Sequence, residues 1–241
     1  MERFRLKRHN LIIVDEREQF PRVAAEWICS KIEGILASKK QCTMALAGGE
    51  TPRSVHAHLA GHELRARVDW EKIVFYFGDE RCVPPDHPES NYRMAEESLF
   101  SNAPIKAEQI RRIHAERADR DKAAADYEIA LPEKLDLILL GMGADGHTAS
   151  LFPGSPALDE KKKRMVAVKG SKPPQWRISI TPPVIADAGS VLVMAKGSSK
   201  APMVARALQG PLDPKEIPIQ LAVHGTWIID SAAAQELDIA R

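Results

Sequence analysis

The sequence has almost no excess of charge of either sign. Its 241 residues include 34 lysines and arginines against 33 aspartates and glutamates, which leaves a formal net charge of +1 with neutral histidines. Proteins that bind nucleic acid without sequence preference, or that bind a membrane surface, need a basic surplus to interact with phosphates. The overall charge therefore favours neither nucleic acid nor a membrane as a partner, and it leaves room for a local positive pocket.

Cysteines and long apolar runs are also scarce. Cys29, Cys42 and Cys82 are odd in number and have no C-x-x-C spacing, which argues against a disulfide framework and against a structural zinc site. No segment approaches the roughly 20 apolar residues that cross a bilayer. The apolar run after the basic start covers only residues 11–14, too few for a signal peptide. We therefore expect a cytoplasmic protein without a bound metal.

Short apolar runs alternate with amphipathic segments along the whole chain. Residues 73–77 (IVFYF) and 137–140 (LILL) are apolar on both faces, as buried strands of a parallel sheet require. Such alternation predicts a three-layer αβα fold with a largely parallel, Rossmann-like twisted sheet, which we assign to a single domain of residues 1–241. The predicted strands are 11–14, 43–47, 73–77, 137–140, 165–168, 177–180 and 191–194, and the predicted helices are 17–37, 52–60, 91–100, 117–131, 200–208 and 231–237.

Residues 47–52 (AGGETP) join a predicted strand to a predicted helix. In open α/β sheets, ligands bind beyond the carboxyl ends of the strands. Gly48 and Gly49 allow backbone N–H groups to approach a ligand closely, and Thr51 can cap the helix, so the segment is suited to bind an anion. A tight turn without a ligand explains the segment equally well, because the lysine of a Walker motif is absent.

A second polar segment, GDER at residues 78–81, follows the most apolar strand. Asp79, Glu80 and Arg81 are either a salt-bridged end of the strand or part of a site, and loops in this position usually carry function. The guanidinium of Arg81 is suited to bind a phosphate or carboxylate through two hydrogen bonds. Cys82 has no neighbour that marks it as an activated thiolate.

Residues 141–147 (GMGADGH) match the G-x-G-x-x-G pattern of dinucleotide-binding proteins. That interpretation is disfavoured, because the motif lies past the middle of the chain and Asp145 would face a pyrophosphate. No acidic residue ends a further strand about 20 residues later. We instead interpret Asp145 and His147 as a carboxylate and an imidazole presented together, since histidine suits general-base catalysis near neutral pH. A purely structural His147 is the alternative.

Two cations and a group of histidines complete the set of candidates. Arg177 begins a predicted strand, and Lys200 opens a predicted helix, where a lysine is unfavourable against the helix dipole unless it binds an anion. Surface solvation explains each cation equally well when it is taken alone. His58 and His62 are predicted to share one helical face beside His56, but without a carboxylate between them they make a poor zinc site.

The motifs, and the order in which they follow one another along the chain, closely resemble those of the 6-phosphogluconolactonase family. The resemblance rests most of all on residues 140–154 (LGMGADGHTASLFPG), and it extends over roughly residues 10–235. It implies a sugar-phosphate isomerase-like fold and hydrolysis of 6-phospho-D-glucono-1,5-lactone to 6-phospho-D-gluconate in the pentose phosphate pathway. It further implies no organic cofactor and no catalytic metal. A lactone is an activated ester that water can attack directly, so no covalent intermediate is required. The other matching segments are 47–52, 78–81, 90–91, 177–181, 197–200 and 227–230.

The resemblance also implies roles for individual residues. His147 would be the general base that activates water, and Asp145 would help to place it. Glu50 stands where a serine or threonine is common in the family, which removes a hydroxyl contact but keeps the backbone contacts. The residues implied to bind the substrate or its phosphate are Gly48, Gly49, Thr51, Arg81, Arg177 and Lys200, with Asp79 and Asn91 in support.

Three other functions fit parts of the sequence. Glucosamine-6-phosphate deaminases resemble it in fold, glycine loop and Asp-Gly-His, but that family has Asn-Glu-Pro where this chain has residues 151–153 (LFP), and a tyrosine at the position of Arg81. A non-catalytic sugar-phosphate sensor would need no base, so Asp145 and His147 together favour an enzyme. A nucleotide-binding oxidoreductase is the third alternative. We expect the protein to be a monomer or a weak homodimer. We expect it to bind a small-molecule substrate.

Overall fold

The computed structural model describes residues 2–6, 9–170 and 173–239. The basic start of the chain falls partly outside these residues. In this part of the chain the strands are β1 (Glu2–Leu6), β2 (His9–Val14), β3 (Cys42–Leu46), β4 (Ile73–Phe77), β5 (Asp79–Arg81), β6 (Leu137–Gly141), β7 (Met165–Lys169), β8 (Trp176–Ile180), β9 (Ser190–Ala195) and β10 (Thr226–Asp230). The α-helices are α1 (Phe20–Leu36), α2 (Glu50–Leu59), α3 (His62–Arg65), α4 (Asn91–Ser98), α5 (Arg120–Ala130), α6 (Pro182–Asp187), α7 (Ala201–Gln209) and α8 (Ser231–Ala234).

Seven strands form one sheet in the order β1-β2-β10-β9-β6-β3-β4. All neighbours pair in parallel except β1, which is antiparallel to β2. The residues of β4 and the first four of β6 are buried, as expected for strands covered by helices on both faces. The predicted α/β class with a largely parallel sheet is confirmed, and the carboxyl ends of its six parallel strands lie at one edge.

Three strands form a second, separate sheet in the order β5-β8-β7, with antiparallel pairing throughout. Residues 165–168 and 177–180 were expected in the parallel sheet, so that part of the prediction is wrong. The chain leaves the large sheet at Gly78, whose N–H donates to Leu46 and whose carbonyl accepts from Ile180. Apolar strand patterns do not reveal the partner of a strand, so the second sheet could not be predicted from them.

Several element boundaries differ from the prediction for local reasons. Helix α5 begins after Asp119, whose side chain accepts the N–H of Lys122 as an N-cap. Helix α2 begins at Glu50 with Gly49 at the N-cap position and no side-chain cap, so the predicted capping role of Thr51 is wrong. Strands β1, β5 and β10 and helices α3 and α6 were not predicted. In the part of the chain that is described, no helix has the length and apolar character needed to span a membrane.

Candidate active site

A cleft of about 350 Å³ lies at the carboxyl edge of the large sheet. Its size suits a small molecule. The polar segments 47–52, 78–81 and 141–147 and the cations Arg177 and Lys200 all contribute to its lining, so the structure brings together residues that are far apart in the sequence. Asn91 lies directly behind the lining, and Asp145 contacts a lining histidine. The candidate residues that line the cleft are Gly48, Gly49, Thr51, Asp79, Arg81, His147, Arg177 and Lys200.

Asp145 orients the imidazole of His147. Its Oδ1 lies 2.5 Å from His147 Nδ1 and also accepts the His147 backbone N–H at 3.2 Å. Burial alone would raise the pKa of Asp145, but the charge and hydrogen bonds of His147 hold that pKa below its usual range. Because Nδ1 faces an ionised carboxylate, Nε2 is the nitrogen available to a ligand. A paired imidazole of this kind is suited to accept a proton from water.

Gly143 is a further requirement of this loop. A Cβ at that position would overlap both the imidazole of His147 and the carboxylate of Asp145. The pair therefore depends on a residue without a side chain. The G-x-G pattern at residues 141–143 is a sequence signal of this requirement, although the same pattern also fits a dinucleotide-binding motif.

A tight turn after His147 connects the base to the second sheet. Backbone hydrogen bonds join Thr148 and Leu151 on either side of the turn. Between them, the Ser150 N–H donates to Ser179 Oγ at 3.1 Å, and the Ser150 hydroxyl donates to Asp79 Oδ2 at 2.6 Å. One buried serine thus fixes the histidine loop against β5 and β8. Its role was not predicted, because a single serine in a motif gives no sign of its partners.

The glycine loop at residues 47–52 packs against Asn91. The side-chain N–H₂ of Asn91 donates to the Asp79 carbonyl at 2.9 Å and to Asp79 Oδ1 at 3.1 Å. A Cβ at Gly48 would overlap the amide of Asn91, so this close approach requires glycine. Gly49 has a φ of 99°, which other residues rarely adopt. The Glu50 side chain is 90% exposed and lies 3.7 Å from the Arg53 guanidinium, so its charge is directed to solvent.

Arg81 and Arg177 meet across the pairing of β5 with β8. Arg81 Nη1 donates to the Glu89 carbonyl at 2.6 Å. The Nε atoms of both arginines are buried without a hydrogen-bond partner among the described residues. Burial lowers the pKa of Arg177, and the neighbouring charge of Arg81 adds to this effect while that of Asp79 opposes it. Two adjacent guanidinium groups with unpaired donors favour the binding of an anion.

Glu80 serves the fold rather than the cleft. Its buried carboxylate accepts the backbone N–H groups of Arg81, Asn91 and Tyr92 at 2.7 to 2.8 Å and the hydroxyl of Ser90 at 3.1 Å. Burial raises the pKa of Glu80, although these hydrogen bonds act in the opposite direction. The residues of the polar segment 78–81 therefore have different roles. Asp79 and Arg81 line the cleft, and Glu80 holds the start of α4.

Lys200 reaches the cleft from the turn before α7. Both carboxylate oxygens of Asp230 accept the Gly197 N–H, at 2.9 and 3.1 Å, and Asp230 also caps α8. Burial lowers the pKa of Lys200, and the charge of Asp145 opposes that change. Asp230 was missed as a support, although its position at the end of an apolar run was a usable signal. Lys196 also lines the cleft.

His58 and His62 do not share the predicted helical face. His58 lies in α2 and His62 in α3, so the two are on different helices. His56 is fully buried, and neither ring nitrogen has a hydrogen-bond partner among the described residues.

The parallel sheet, and the cleft at its carboxyl edge, define a sugar-phosphate isomerase-like α/β protein. Comparison with known proteins gives the particular family. The family model for glucosamine-6-phosphate isomerases/6-phosphogluconolactonase matches residues 15–229. The chain therefore belongs to this family.

Individual relatives agree with this assignment. The 6-phosphogluconolactonase of Streptomyces coelicolor is 35% identical over 253 residues, covering 94% of each chain. The structure of 6-phosphogluconolactonase from Trypanosoma cruzi has a TM-score of 0.85 at 26% identity and covers 99% of this chain and 100% of that chain. A monomeric glucosamine-6-phosphate deaminase has a TM-score of 0.81 at 21% identity, covering 94% of this chain and 99% of that chain, which shows a shared fold alone.

Proposed function

We propose that this chain hydrolyses 6-phospho-D-glucono-1,5-lactone to 6-phospho-D-gluconate, the lactone-opening step of the pentose phosphate pathway. The observation that carries the proposal is the placement of the His147–Asp145 pair in the same cleft as Arg81, Arg177 and Lys200. A lactone is an activated ester, so its hydrolysis needs a base for water and positive charge for the developing oxyanion. The names of the 6-phosphogluconolactonase relatives support the same reaction.

His147 acts as the general base. Its Nε2 accepts a proton from water while the water oxygen attacks the lactone carbonyl carbon, and Asp145 stabilises the imidazolium that forms. The tetrahedral intermediate then collapses, the bond from the carbonyl carbon to the ring oxygen breaks, and the ring oxygen takes the proton as a hydroxyl. No bond forms between enzyme and substrate. General-base catalysis of this kind contributes typically about 10²- to 10⁴-fold.

The cations and the glycine loop bind the substrate. The loop containing Gly48, Gly49 and Thr51 lines the cleft at the start of α2, where backbone N–H groups and the helix dipole favour an anion. This loop cradles the phosphate. Arg81, Arg177 and Lys200 supply the positive charge for the phosphate and for the oxyanion of the tetrahedral intermediate.

The residues after His147 argue against the deaminase alternative. Ring opening in that family uses an acid in the Asn-Glu-Pro segment, and the corresponding residues here are Leu151, Phe152 and Pro153. Leu151 is fully buried, and the ring of Phe152 packs on the imidazole. No carboxylate therefore occupies the position from which the deaminase acid would act. The carboxylate paired with the imidazole likewise favours an enzyme over a sensor.

A lactonase assay tests the proposal. Freshly generated 6-phosphogluconolactone is added to the purified chain, and its loss is followed with the spontaneous rate subtracted. We expect a large acceleration that scales with protein concentration and is mostly lost in a His147→Ala preparation. Glucosamine-6-phosphate is tested in parallel for ammonia release. Absence of acceleration with the folded wild-type chain, or release of ammonia, would overturn the proposal.

A further inference from the structure

Phe152 occupies the space beside the imidazole. Its ring centroid lies 4.9 Å from that of His147 with the planes inclined at 45°, and the Arg177 guanidinium carbon lies 5.8 Å from the same centroid. Both distances are within the range of favourable contacts of an aromatic ring with another ring or with a cation. Asp145 fixes the imidazole at Nδ1 alone, so the ring can still pivot about that hydrogen bond. The phenyl ring limits this rotation.

Gly170 leaves room for this ring. Gly170 is buried at the end of β7, and a Cβ added there would lie 3.0 Å from both Cε2 and Cζ of Phe152 and 3.6 Å from Arg177 Nε. A carbon at 3.0 Å is closer than ordinary van der Waals contact, so the phenyl ring would have to move by a few tenths of an ångström. The phenyl ring therefore contacts the imidazole of His147 and keeps its place only while residue 170 has no side chain.

We propose that Phe152 is a positioning residue for the hydrolysis, and that Gly170 acts through it. The phenyl ring keeps Nε2 of His147 directed at the cleft and, through its contact with the Arg177 guanidinium, helps to place that group as well. This role rests on the proposed function, because it presumes that His147 is the base. It involves no contact between Phe152 and the substrate.

The proposal predicts an effect on turnover that depends on geometry. A misplacement of about 1 Å in a catalytic group can cost on the order of 10²-fold in rate. We therefore expect Phe152→Leu, which keeps an apolar side chain but loses the flat ring, to lower kcat by about 10- to 100-fold. KM should rise by less, because Arg177 is held by β8 as well. Gly170→Ala should lower kcat by a few-fold in the same direction, since it displaces the ring only slightly.

A double-mutant cycle on kcat separates positioning from general packing. In the double variant Phe152→Leu/Gly170→Ala, we expect the added methyl group to have no further effect, because the ring that it displaces is gone. Phe100→Leu is the matched control. It removes a buried phenyl ring that packs on Phe75 and Phe77, away from the cleft, and it should change stability without changing kcat.

Each outcome bears on the proposal. A kcat of Phe152→Leu within twofold of wild type, or an equal cost of Gly170→Ala with and without the phenyl ring, would overturn it. If Phe152→Leu does not fold, the decisive measurement is Gly170→Ala, for which the NMR signals of the His147 ring should shift and kcat should fall; unchanged signals and unchanged kcat would contradict the proposal. A wild-type chain without lactonase activity would instead contradict the proposed function, and the NMR comparison would still report on the contact.

Discussion

Arg81 and Arg177 are directly paired residues of adjacent antiparallel strands, and each has a buried Nε without a hydrogen-bond partner among the described residues. Side chains at paired positions of such strands are close neighbours, and like charges there destabilise the pairing. Repulsion between the two guanidinium groups therefore lowers the stability of the ligand-free protein, and a bound anion would offset that repulsion.

This relationship predicts that inorganic phosphate raises the melting temperature of the protein. A ligand that binds only the folded state stabilises it in proportion to the logarithm of its concentration above Kd. We expect Arg177→Gln to abolish most of this gain without lowering the melting temperature in phosphate-free buffer. Arg22→Gln, which alters an exposed arginine paired with Glu26, is the control and should retain the gain. An undiminished gain in Arg177→Gln would contradict the assignment.

Loss of the other two cations should weaken substrate binding. We expect Lys200→Ala to raise KM at least about tenfold with a smaller effect on kcat, because a lost charge-assisted contact costs about 1.5–3 kcal/mol. Arg81→Ala should raise KM and lower kcat, since Arg81 is also proposed to stabilise the oxyanion and contacts the loop at Glu89. Steady-state kinetics measure both parameters. An unchanged KM in Lys200→Ala would show that this lysine does not contact the substrate.

Removal of the imidazole should abolish most turnover. For His147→Ala we expect kcat to fall by about 10²- to 10⁴-fold, the usual contribution of a general base. Binding of the product 6-phosphogluconate, measured by calorimetry, should persist because the cations and the glycine loop are intact. His62→Ala is the control, since His62 is exposed in α3 and should leave kcat unchanged. Full activity of His147→Ala would exclude the proposed mechanism.

The buried His56 should make the fold sensitive to acid. Burial lowers the pKa of His56 from 6.5 to about 4. Between these values the unfolded chain binds a proton that the folded protein does not, so the stability is complete above pH 6.5 and falls as the pH decreases towards 4. The expected loss in the free energy of unfolding between pH 7 and pH 5 is about 2 kcal/mol.

Urea unfolding at these two pH values provides the measurement. We expect His56→Leu to remove this part of the acid sensitivity, because the substituted side chain does not bind a proton in either state. His58→Leu is the matched control on the same helix, where the side chain is exposed, and it should retain the loss. An undiminished loss in His56→Leu would show that other groups control the acid response.

A side chain at Gly48 should disrupt the glycine loop. We expect Gly48→Ala to reduce the free energy of unfolding by roughly 1–3 kcal/mol, the usual cost of overpacking, and to raise KM. Adding Asn91→Ala should recover part of the stability, because the overlap is then removed. Gly34→Ala, in α1 with open space around it, should instead stabilise by about 0.5–1 kcal/mol. Thermal and urea unfolding would be measured for the wild type, for Gly48→Ala, Asn91→Ala and their double variant, and for Gly34→Ala. Additive effects of Gly48→Ala and Asn91→Ala would contradict the predicted contact.

The central sheet could be predicted from local patterns. The apolar runs at 73–77 and 137–140 are strands in the large sheet, and the polar residues after them do converge on one cleft. This prediction succeeded because burial on both faces leaves a direct signature in the sequence, and because parallel strands bring their carboxyl ends to one edge. The functional roles of the residues in that cleft stay predictions.

The support for these residues could not be predicted. Neighbouring acidic residues Asp79 and Glu80 have opposite orientations, and only the second sheet explains why one lines the cleft and the other holds α4. Ser150 and Phe152 gave no distinguishing signal of their own, and Asp230 was marked only by its position at the end of an apolar run. The partners of Ser150 and Asp230 lie far away in the chain, and neither propensity nor periodicity contains that information.

By itself, the sequence determined which segments are buried and which chemical groups follow each strand, since both depend on residues close together in the chain. Only the tertiary structure decided that the chain changes sheets at Gly78. That change places Arg81 opposite Arg177 and the turn after His147 against both strands. The physical reason is that strand pairing is selected by backbone hydrogen bonds and packing between distant segments, which a linear pattern does not specify.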